Sequence, residues 1–209
     1  MELAEESAGR LPRGSHGLTR EQVVQSQRTR IFGAMARAMA EKGYAATSVA
    51  DVLRRAQVSR ETFYEQFASK QACFLAAFEA AVEFVFERAT TAIGDDDSGV
   101  DRFDRALRSY LDTLAEHPAV ARLFLVEVYA AGPEAVERRV DLQERFAEAV
   151  NRMLGSRTAA DRFAVEALVA ATAAMVTARL AADDLDGIRA LHAPLLELVR
   201  DVHSSRRRR

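Results

Sequence analysis

The amino-acid sequence predicts an all-α protein, and three observations support that fold class. Alanine, leucine, arginine and glutamate dominate the 209 residues, tryptophan is absent, and four prolines occur. Alternating β-branched segments, which are typical of strands, are hard to find. Apolar residues instead recur at the three-and-four spacing of amphipathic helices. With 49% hydrophobic and 29% charged residues, the chain has the composition of an ordinary globular protein, and we expect about nine helices.

The first helix is predicted to begin at Arg20. Thr19 and Gln22 stand at the spacing of a capping box, in which each side chain bonds the other residue's backbone amide. Apolar side chains follow at helical spacing until Gly43. Glycine readily adopts the left-handed conformation that ends many helices, so the helix should stop there. The residues before it, 1–19, form a basic arm that we expect to be flexible.

Two short helices are predicted next. Thr47 or Ser48 can cap the first, which should end near Ala56. Ser59 can cap the second, which should run to about Phe67. The residues between the two helices leave room for a tight turn and nothing longer.

The second short helix has one apolar and one polar face. Phe63 and Phe67 are four residues apart and therefore lie on the same side of the helix. We expect them to anchor it on the two preceding helices. Arg60 and Thr62 then lie on the opposite side, with Tyr64 near its edge, and all three can bond base edges or phosphate oxygens.

Longer helices should make up the rest of the chain. Ser69 can cap a fourth helix whose apolar stripe includes Phe74 and Phe78, and residues 94–99 form a loop by composition. Five further helices are predicted at about 101–116, 118–129, 133–154, 158–182 and 184–203. Because Pro194 cannot donate a helical hydrogen bond, the last of these helices should kink or begin late.

The last two helices have the pattern of a subunit interface. The stretch 159–182 is dense with alanine and threonine, which lets another backbone approach closely. The final helix repeats apolar residues at a three-four rhythm from residue 191. Two such helices can form half of a four-helix bundle made by two chains. The candidate interface residues are Phe163, Leu168, Met175, Leu191, Leu195, Leu198 and Val202. Alternatively, the two helices close the core of their own chain.

Charge is distributed unevenly along the chain. Between Arg10 and Lys70 there are 11 Lys/Arg and five Asp/Glu, whereas residues 71–205 carry 14 Lys/Arg and 23 Asp/Glu. This asymmetry predicts that the first third of the chain meets a polyanion. Arg10 and Arg13 in the basic arm either lie along a minor groove or contact nothing. The basic tail, 206–209, should be disordered and add at most nonspecific attraction.

Two short helices joined by a tight turn, behind a longer helix in a basic segment, describe a helix-turn-helix unit. We therefore predict that the first third of the chain binds double-stranded DNA. The outward side chains of the second short helix and the starts of three helices supply the contacts. The predicted DNA-binding residues are Thr47, Ser59, Arg60, Thr62, Tyr64 and Lys70. A three-helix core without a DNA-binding role would display the same side chains.

The run GYAATSVADVLRRAQVSRETFYEQFASK, residues 43–70, resembles the DNA-binding motif of the TetR/AcrR family of transcriptional regulators. The resemblance extends over about 50 residues, from the first helix to the start of the fourth. It implies a homodimer that binds a palindromic operator, an inducer pocket, and DNA contact at the six positions named above. Two positions depart from the family pattern. Gln57 stands where glycine is usual, which implies backbone strain, and Gln66 stands where histidine or tyrosine is common.

The predicted domains are a helix-turn-helix DNA-binding domain at 20–70 and a helical ligand-binding and dimerisation domain at 71–205. The second domain should contain an apolar cavity for a small-molecule inducer. The candidate lining residues are Phe78, Phe103, Leu107, Tyr110, Leu111, Phe124 and Phe146.

The sequence argues against an enzyme and against a membrane protein. The four histidines lie far apart and no Glu-x-x-His pair occurs, so we predict no catalytic residue, no metal site and no cofactor. The acidic opening MELAEESAGR is unlike a signal peptide, and the apolar stretches are shorter than the roughly 20 residues of a membrane span. We therefore predict a cytoplasmic protein, and the family resemblance implies that it is a ligand-responsive repressor. The alternative is a helical protein-binding or dimerisation module without sequence-specific DNA binding.

Overall fold

The structure is a computed structural model that describes residues 19–94 and 98–207, with side chains as far as Asp201. The described residues are mostly helical and include no strand, which confirms the predicted fold class. The predicted basic arm, except Thr19, and the last two residues of the basic tail lie outside the described residues.

The chain divides into two compact units, one reaching to Ala80 and the other beginning at Ala81. The first four helices are α1 (Arg20–Ala46), α2 (Val49–Ala56), α3 (Arg60–Gln66) and α4 (Lys70–Thr91). Helix α4 begins in the first unit and continues into the second. The elements that follow are α5 (Gly99–Glu116), α6 (Pro118–Leu125), a 3-10 helix (Glu127–Ala130), α7 (Pro133–Leu154), α8 (Ala159–Ala181), α9 (Leu185–Ala190) and α10 (His192–Arg207).

Local hydrogen bonds determine where helix α1 begins. The Gln22 amide donates to Thr19 Oγ1 at 3.2 Å, and the Thr19 amide donates to Gln22 Oε1 at 2.8 Å, which confirms the predicted capping box. Gly43 has a φ of 77°, a conformation that any residue with a Cβ disfavours. Helix α1 is kinked at this glycine, where the sequence predicted that it would stop.

Helix α2 is capped by Ser48, one of the two residues predicted for that role. The Asp51 amide donates to Ser48 Oγ at 3.2 Å, and the Ser48 amide donates to Asp51 Oδ2 at 2.9 Å. The Asp51 carboxylate also accepts bonds from Lys42 Nζ at 2.5 Å and Arg54 Nη2 at 2.9 Å. The bonds from Lys42 and then Ser48 hold the pKa of Asp51 well below its usual range. Because Lys42 belongs to α1, Asp51 joins the start of α2 to the preceding helix.

An aromatic cluster holds helix α3 in the first unit. Phe63 is wholly buried and Phe67 nearly so. Their ring centroids are 5.5 Å apart, and the Phe67 ring lies 5.8 Å from that of Phe32 in α1. The Arg28 guanidinium lies 4.9 Å from the centre of the Phe67 ring, a cation–π contact. Burial of each ring is worth roughly 1.5–3 kcal/mol, so the cluster determines which side of α3 remains exposed.

The second unit is a helical bundle in which α5 has the most neighbours. Helix α5 contacts α6, α7, α9 and α10, and α7 packs along α8. The largest fully buried side chains of this unit are Leu111, Leu114, Leu123, Phe124, Leu180 and Ile188. His192 Nε2 of α10 also lies 2.7 Å from Asp104 Oδ1 of α5. A polar contact therefore supplements apolar packing where the last helix meets α5.

Two of the predicted helices are each observed as a pair of shorter elements. The helix expected at 118–129 is α6 followed by the 3-10 helix, and the helix expected at 184–203 is α9 followed by α10. Pro194 accounts for the second break. It lies in the first turn of α10, where a backbone amide has no intrahelical acceptor, and the predicted late start is thus confirmed.

Helix α8 is both long and apolar. An 18-residue window of α8 has a mean hydropathy of 1.6, so by length and composition alone the helix could cross a membrane. Within the chain, 33% of that window is buried. The uninterrupted apolar runs of α8 are shorter than a membrane span, as the sequence predicted, but the isolated charges between them do not make the whole helix polar. Core helices of soluble proteins pass the same test.

Candidate functional site

Gln57 forms the turn between α2 and α3 in a left-handed conformation. Its φ is 53° and its ψ is 45°, the conformation in which strain is expected where glycine is usual. Arg30 of α1 stabilises this turn. Its guanidinium donates to the Ala56 carbonyl at 2.7 and 3.0 Å and to the Gln57 carbonyl at 2.8 Å, and it thereby caps the end of α2. Sequence reasoning missed Arg30, because its partners lie 26 and 27 residues away.

The exposed side of α3 carries three of the predicted DNA-binding residues. Arg60 is exposed, Tyr64 is 47% exposed, and Thr62 is partly exposed. The Arg60 guanidinium carbon lies 5.9 Å from the centre of the Tyr64 ring. The buried ring of Phe63 contacts the edge of Tyr64 at a centroid distance of 5.3 Å, so this exposed surface is supported directly by the core.

Ser59 caps α3. The Thr62 amide donates to Ser59 Oγ at 3.0 Å, and the two side-chain hydroxyl oxygens are 2.9 Å apart. Ser59 is exposed. The two hydroxyl groups share a hydrogen bond, and each can still donate to or accept from a further group.

The predicted contacts Thr47 and Lys70 make internal hydrogen bonds. Thr47 is 2% exposed, and its hydroxyl donates to the Gly43 carbonyl at 2.8 Å. Lys70 Nζ donates to the carbonyls of Tyr44 and Thr47 at 2.9 and 3.0 Å and lies 4.0 Å from the centre of the Tyr44 ring. Burial lowers the pKa of Lys70. Both side chains therefore fasten the junction between α1 and α2.

Gln66, the second departure from the family pattern, also faces inward. Its Nε2 donates to Gln27 Oε1 of α1 at 3.1 Å. Gln66 is partly buried. Gln66 therefore connects α3 to α1. The exposed face of α3 is formed by Arg60, Thr62 and Tyr64 instead.

The second unit contains an apolar cavity of about 100 Å³. Five of the seven predicted lining residues contribute to it, and these are Phe103, Leu107, Tyr110, Phe124 and Phe146. Leu111 is buried elsewhere in the core, and Phe78 belongs to the first unit. Phe86 of α4 stacks on Phe146 of α7 at a centroid distance of 4.3 Å. Five aromatic rings, together with alanine, leucine, valine and methionine side chains, therefore form most of the cavity wall.

Arg139 is the one charged side chain among the described residues that line this cavity. It is 9% exposed, its Nε is shielded from solvent, and no described residue gives it a hydrogen bond or an ion pair. Two opposing effects act on the pKa of its neighbour Tyr110. Burial raises the pKa of Tyr110 to about 12, and the Arg139 charge lowers it in part.

Sequence reasoning missed Arg139, although a signal was present. Arg139 stands with Ala135, Leu142 and Phe146 at three-four spacing, which places an arginine in the apolar stripe of α7. Ala135 and Leu142 are buried, and Phe146 lines the cavity. A charged residue at such a position indicates a buried polar partner or a ligand.

An apolar groove of about 390 Å³ lies between α8 and α10. Four of the predicted interface residues line it, and these are Leu168, Met175, Leu195 and Leu198. Leu191 is buried, whereas Phe163 is 71% exposed. Val202 lies outside the residues whose side chains are described.

Solved structures of regulators resemble this chain over most of its length. The fatty acid degradation regulator FadR from Bacillus halodurans gives a TM-score of 0.72 at 16% identity, covering 81% of this chain and 96% of that one. FadR from Bacillus subtilis, solved in complex with stearoyl-CoA, gives 0.70 at 20% identity over 81% and 96%. A TetR transcriptional regulator from Chloroflexus aurantiacus gives 0.69 at 21% identity over 86% and 96%. At these identities the likeness shows a shared fold.

The first unit resembles a known protein family in sequence. No curated protein matches the chain. Residues 31–77, however, match the family model described as bacterial regulatory proteins, tetR family. That range runs from the middle of α1 into α4 and includes the whole helix-turn-helix unit. The first unit therefore carries a helix-turn-helix of the tetR family, and most of the chain shares the fold of solved regulators.

Proposed function

We propose that this protein is a ligand-responsive transcriptional regulator, a repressor that binds a palindromic DNA operator as a homodimer and is released by a small apolar inducer. The observation that carries the proposal is the exposed face of α3, where Arg60 and Tyr64 project from a helix anchored by Phe63. A helix that is fixed on one side and polar on the other suits the major groove of DNA. The family match supports the same function.

Each side chain on this face has a distinct role in the proposed complex. The Arg60 guanidinium bonds a base edge, with guanine as its best partner. Thr62 meets a base or a phosphate through its methyl or hydroxyl group. The Tyr64 phenol and the Ser59 hydroxyl bond phosphate oxygens, which position the protein without reading sequence.

Lys70 and Thr47 have different roles in the proposed complex. Lys70 has three N–H bonds and donates two of them to backbone carbonyls, so the third is assigned to a phosphate. Thr47 is buried, and its proposed role is to hold the α1–α2 junction next to the DNA backbone. These assignments divide the six predicted positions into direct contacts and one supporting residue.

The second subunit is proposed to pack on the groove between α8 and α10. Phe163 and Leu198 are 71% and 52% exposed, and exposed apolar surface of this kind favours a protein interface. Two helices from each chain would form a four-helix bundle. Such a dimer presents its α3 helices to half-sites whose centres are about 34–36 Å apart, or a multiple of that distance.

The proposed inducer binds in the apolar cavity of the second unit. Helix α4 contributes Phe86, Ala89 and Thr90 to the lining, and the same helix begins at Lys70, shortly after α3. A ligand that displaces the cavity end of α4 would therefore shift its other end as well. FadR from Bacillus subtilis, which has the same fold, was solved in complex with stearoyl-CoA, and this supports a ligand-responsive role.

We further propose a cytoplasmic protein without catalytic activity and without a membrane partner. The proposed inducer acts as a signal and is not converted to a product. The exposed apolar side of α8 is covered by the second subunit of the proposed dimer. No cofactor is needed for DNA binding or for release.

The test is selection of bound duplexes from a random DNA pool by the purified protein at about physiological salt, where nonspecific binding is weak. We expect enrichment of a palindrome, and its affinity should fall steeply as salt rises, because several phosphates are neutralised. Failure of a folded, ligand-free sample to enrich any sequence would contradict the proposal and favour the helical protein-binding module.

A further inference from the structure

The cavity of the second unit combines an apolar wall with one unpaired cation. Arg139 lines it, is nine-tenths buried, and has no hydrogen-bond or ion-pair partner among the described residues. A buried charge without a partner is costly, because it has lost its hydration and gained nothing in return. Arginine cannot escape that cost by losing a proton. A bound anion would supply the missing partner.

The other lining residues restrict the chemistry of that anion. Tyr110 stays protonated at neutral pH because its pKa is about 12, so its hydroxyl can donate a hydrogen bond, and Gln143 adds an amide. Phe86 and Phe146 stack beside them, and most of the remaining wall is aliphatic or aromatic. A second charge on the ligand would have no partner here. The site therefore suits one acidic group attached to an apolar body.

We infer that the cavity binds a monocarboxylate amphiphile, such as a fatty acid, whose carboxylate pairs with Arg139 and whose chain lies among the phenylalanines. A carboxylate matches the two parallel N–H donors of a guanidinium. A cavity of about 100 Å³ has room for several waters at roughly 10–15 Å³ each, so a chain of eight carbons or more must also push the lining helices apart. The inference rests on the proposed function, because it names the chemical class of the inducer.

The test is isothermal titration calorimetry of the full-length protein without DNA. The ligands are octanoate, dodecanoate and hexadecanoate, with dodecanol, methyl dodecanoate and dodecanoyl-CoA as matched comparisons. We expect at least one acid to bind, and its neutral counterparts to bind roughly tenfold more weakly or worse, since a charge-assisted bond is lost. Arg139→Met should weaken acid binding roughly thirtyfold or more.

Two controls separate binding from folding. Arg139→Met replaces an unpaired buried charge with an apolar chain, so the unliganded variant should melt no lower than the parent protein. Arg138→Met removes the neighbouring arginine, which pairs with Glu134 at 3.2 Å and does not line the cavity. This second variant should bind the acid as tightly as the parent protein does.

Four results would overturn the inference. They are equal binding of the acid and its methyl ester, unchanged acid binding by Arg139→Met, tighter binding of the CoA thioester than of the acid, and no binding of any acid in the series. Because these titrations contain no DNA, their failure is distinct from a failure of the duplex selection. Acid binding together with a failed selection would refute the regulator and leave the ligand site standing.

Discussion

At the scale of single residues, Arg60 and Tyr64 share the exposed face of α3 but differ in what they can recognise. Arg60→Ala should cost about 1–3 kcal/mol of binding to the selected duplex and relax preference at one base pair. Tyr64→Phe should weaken binding about equally for all sequences, because a phosphate contact carries no sequence information. Fluorescence anisotropy against single-base variants of the duplex measures both effects. Unchanged binding by both variants would contradict these assignments.

The left-handed conformation of Gln57 predicts a gain in stability on substitution by glycine. The strain of that conformation is roughly 1–2 kcal/mol for a residue with a Cβ, and part of the gain is offset by the greater flexibility of glycine in the unfolded chain. We expect Gln57→Gly to raise the free energy of unfolding by up to about 1 kcal/mol in urea denaturation. The Arg30 bonds to the turn use backbone carbonyls, so they survive the change.

A matched control for that experiment is Ala40→Gly. Ala40 is an exposed residue inside α1, where glycine should cost about 1 kcal/mol. The two glycine substitutions should therefore change stability in opposite directions. Equal losses for both variants would mean that Gln57 carries no strain.

At the scale of elements, Asp51 makes the junction of α1 and α2 sensitive to acid. Its folded-state pKa lies below the ordinary carboxyl value, so its contribution is fully present above about pH 4, the unfolded-state value. The contribution is lost as pH falls through the lower folded-state pKa. We expect Asp51→Asn to lower the melting temperature by several degrees at neutral pH, because the bonds to Lys42 and Ser48 are weakened.

The same variant should differ less from the parent protein as the pH falls towards the folded-state pKa, where the parent carboxyl is also protonated. Thermal melting at a series of pH values followed by circular dichroism measures this convergence. Glu61→Gln, at an exposed acidic residue on α3, serves as the control and should shift the melting temperature little at any pH. A constant difference between Asp51→Asn and the parent across the series would contradict the assignment.

At the scale of the whole molecule, the apolar groove between α8 and α10 predicts the oligomeric state. Leu198→Glu places a charge in the groove and should convert a dimer to a monomer, because a charge buried in an apolar interface has no partner. Sedimentation velocity measures the change directly. Affinity for a palindromic duplex should fall as well, since one subunit then engages one half-site.

Val140→Glu is the matched control for the dimer. Val140 on α7 is 53% exposed and Leu198 is 52% exposed, so the two substitutions place the same charge at apolar positions of equal exposure. Only Leu198 lies in the groove. Dissociation by Val140→Glu, or a dimer that persists with Leu198→Glu, would locate the interface elsewhere.

Much of the fold was predictable because it depends on residues that are neighbours in the chain. Thr19, Ser48 and Ser59 cap their helices through bonds to residues three positions away. Phe63 and Phe67 share a face because of helical geometry. The break before Pro194 likewise follows from the chemistry of one residue.

The roles of individual polar side chains were less predictable, because their partners are remote in sequence. Lys70 was expected to contact a phosphate, and in the structure its ammonium donates to carbonyls 23 and 26 residues away. Arg30 reaches the end of α2 from α1. Arg139 was not singled out at all, since its burial depends on several helices that enclose the cavity.

The sequence by itself determined that this protein is helical, that its first third is a helix-turn-helix unit, and that Arg60 and Tyr64 project from the second short helix. These properties depend on periodicity, capping and spacing, which act over a few residues. Tertiary structure alone decided that Thr47 is buried, that Lys70 binds carbonyls, and that an unpaired arginine faces an apolar cavity. The reason is physical: burial and the loss of water around a charge depend on which distant helices pack together, and local sequence does not encode that packing.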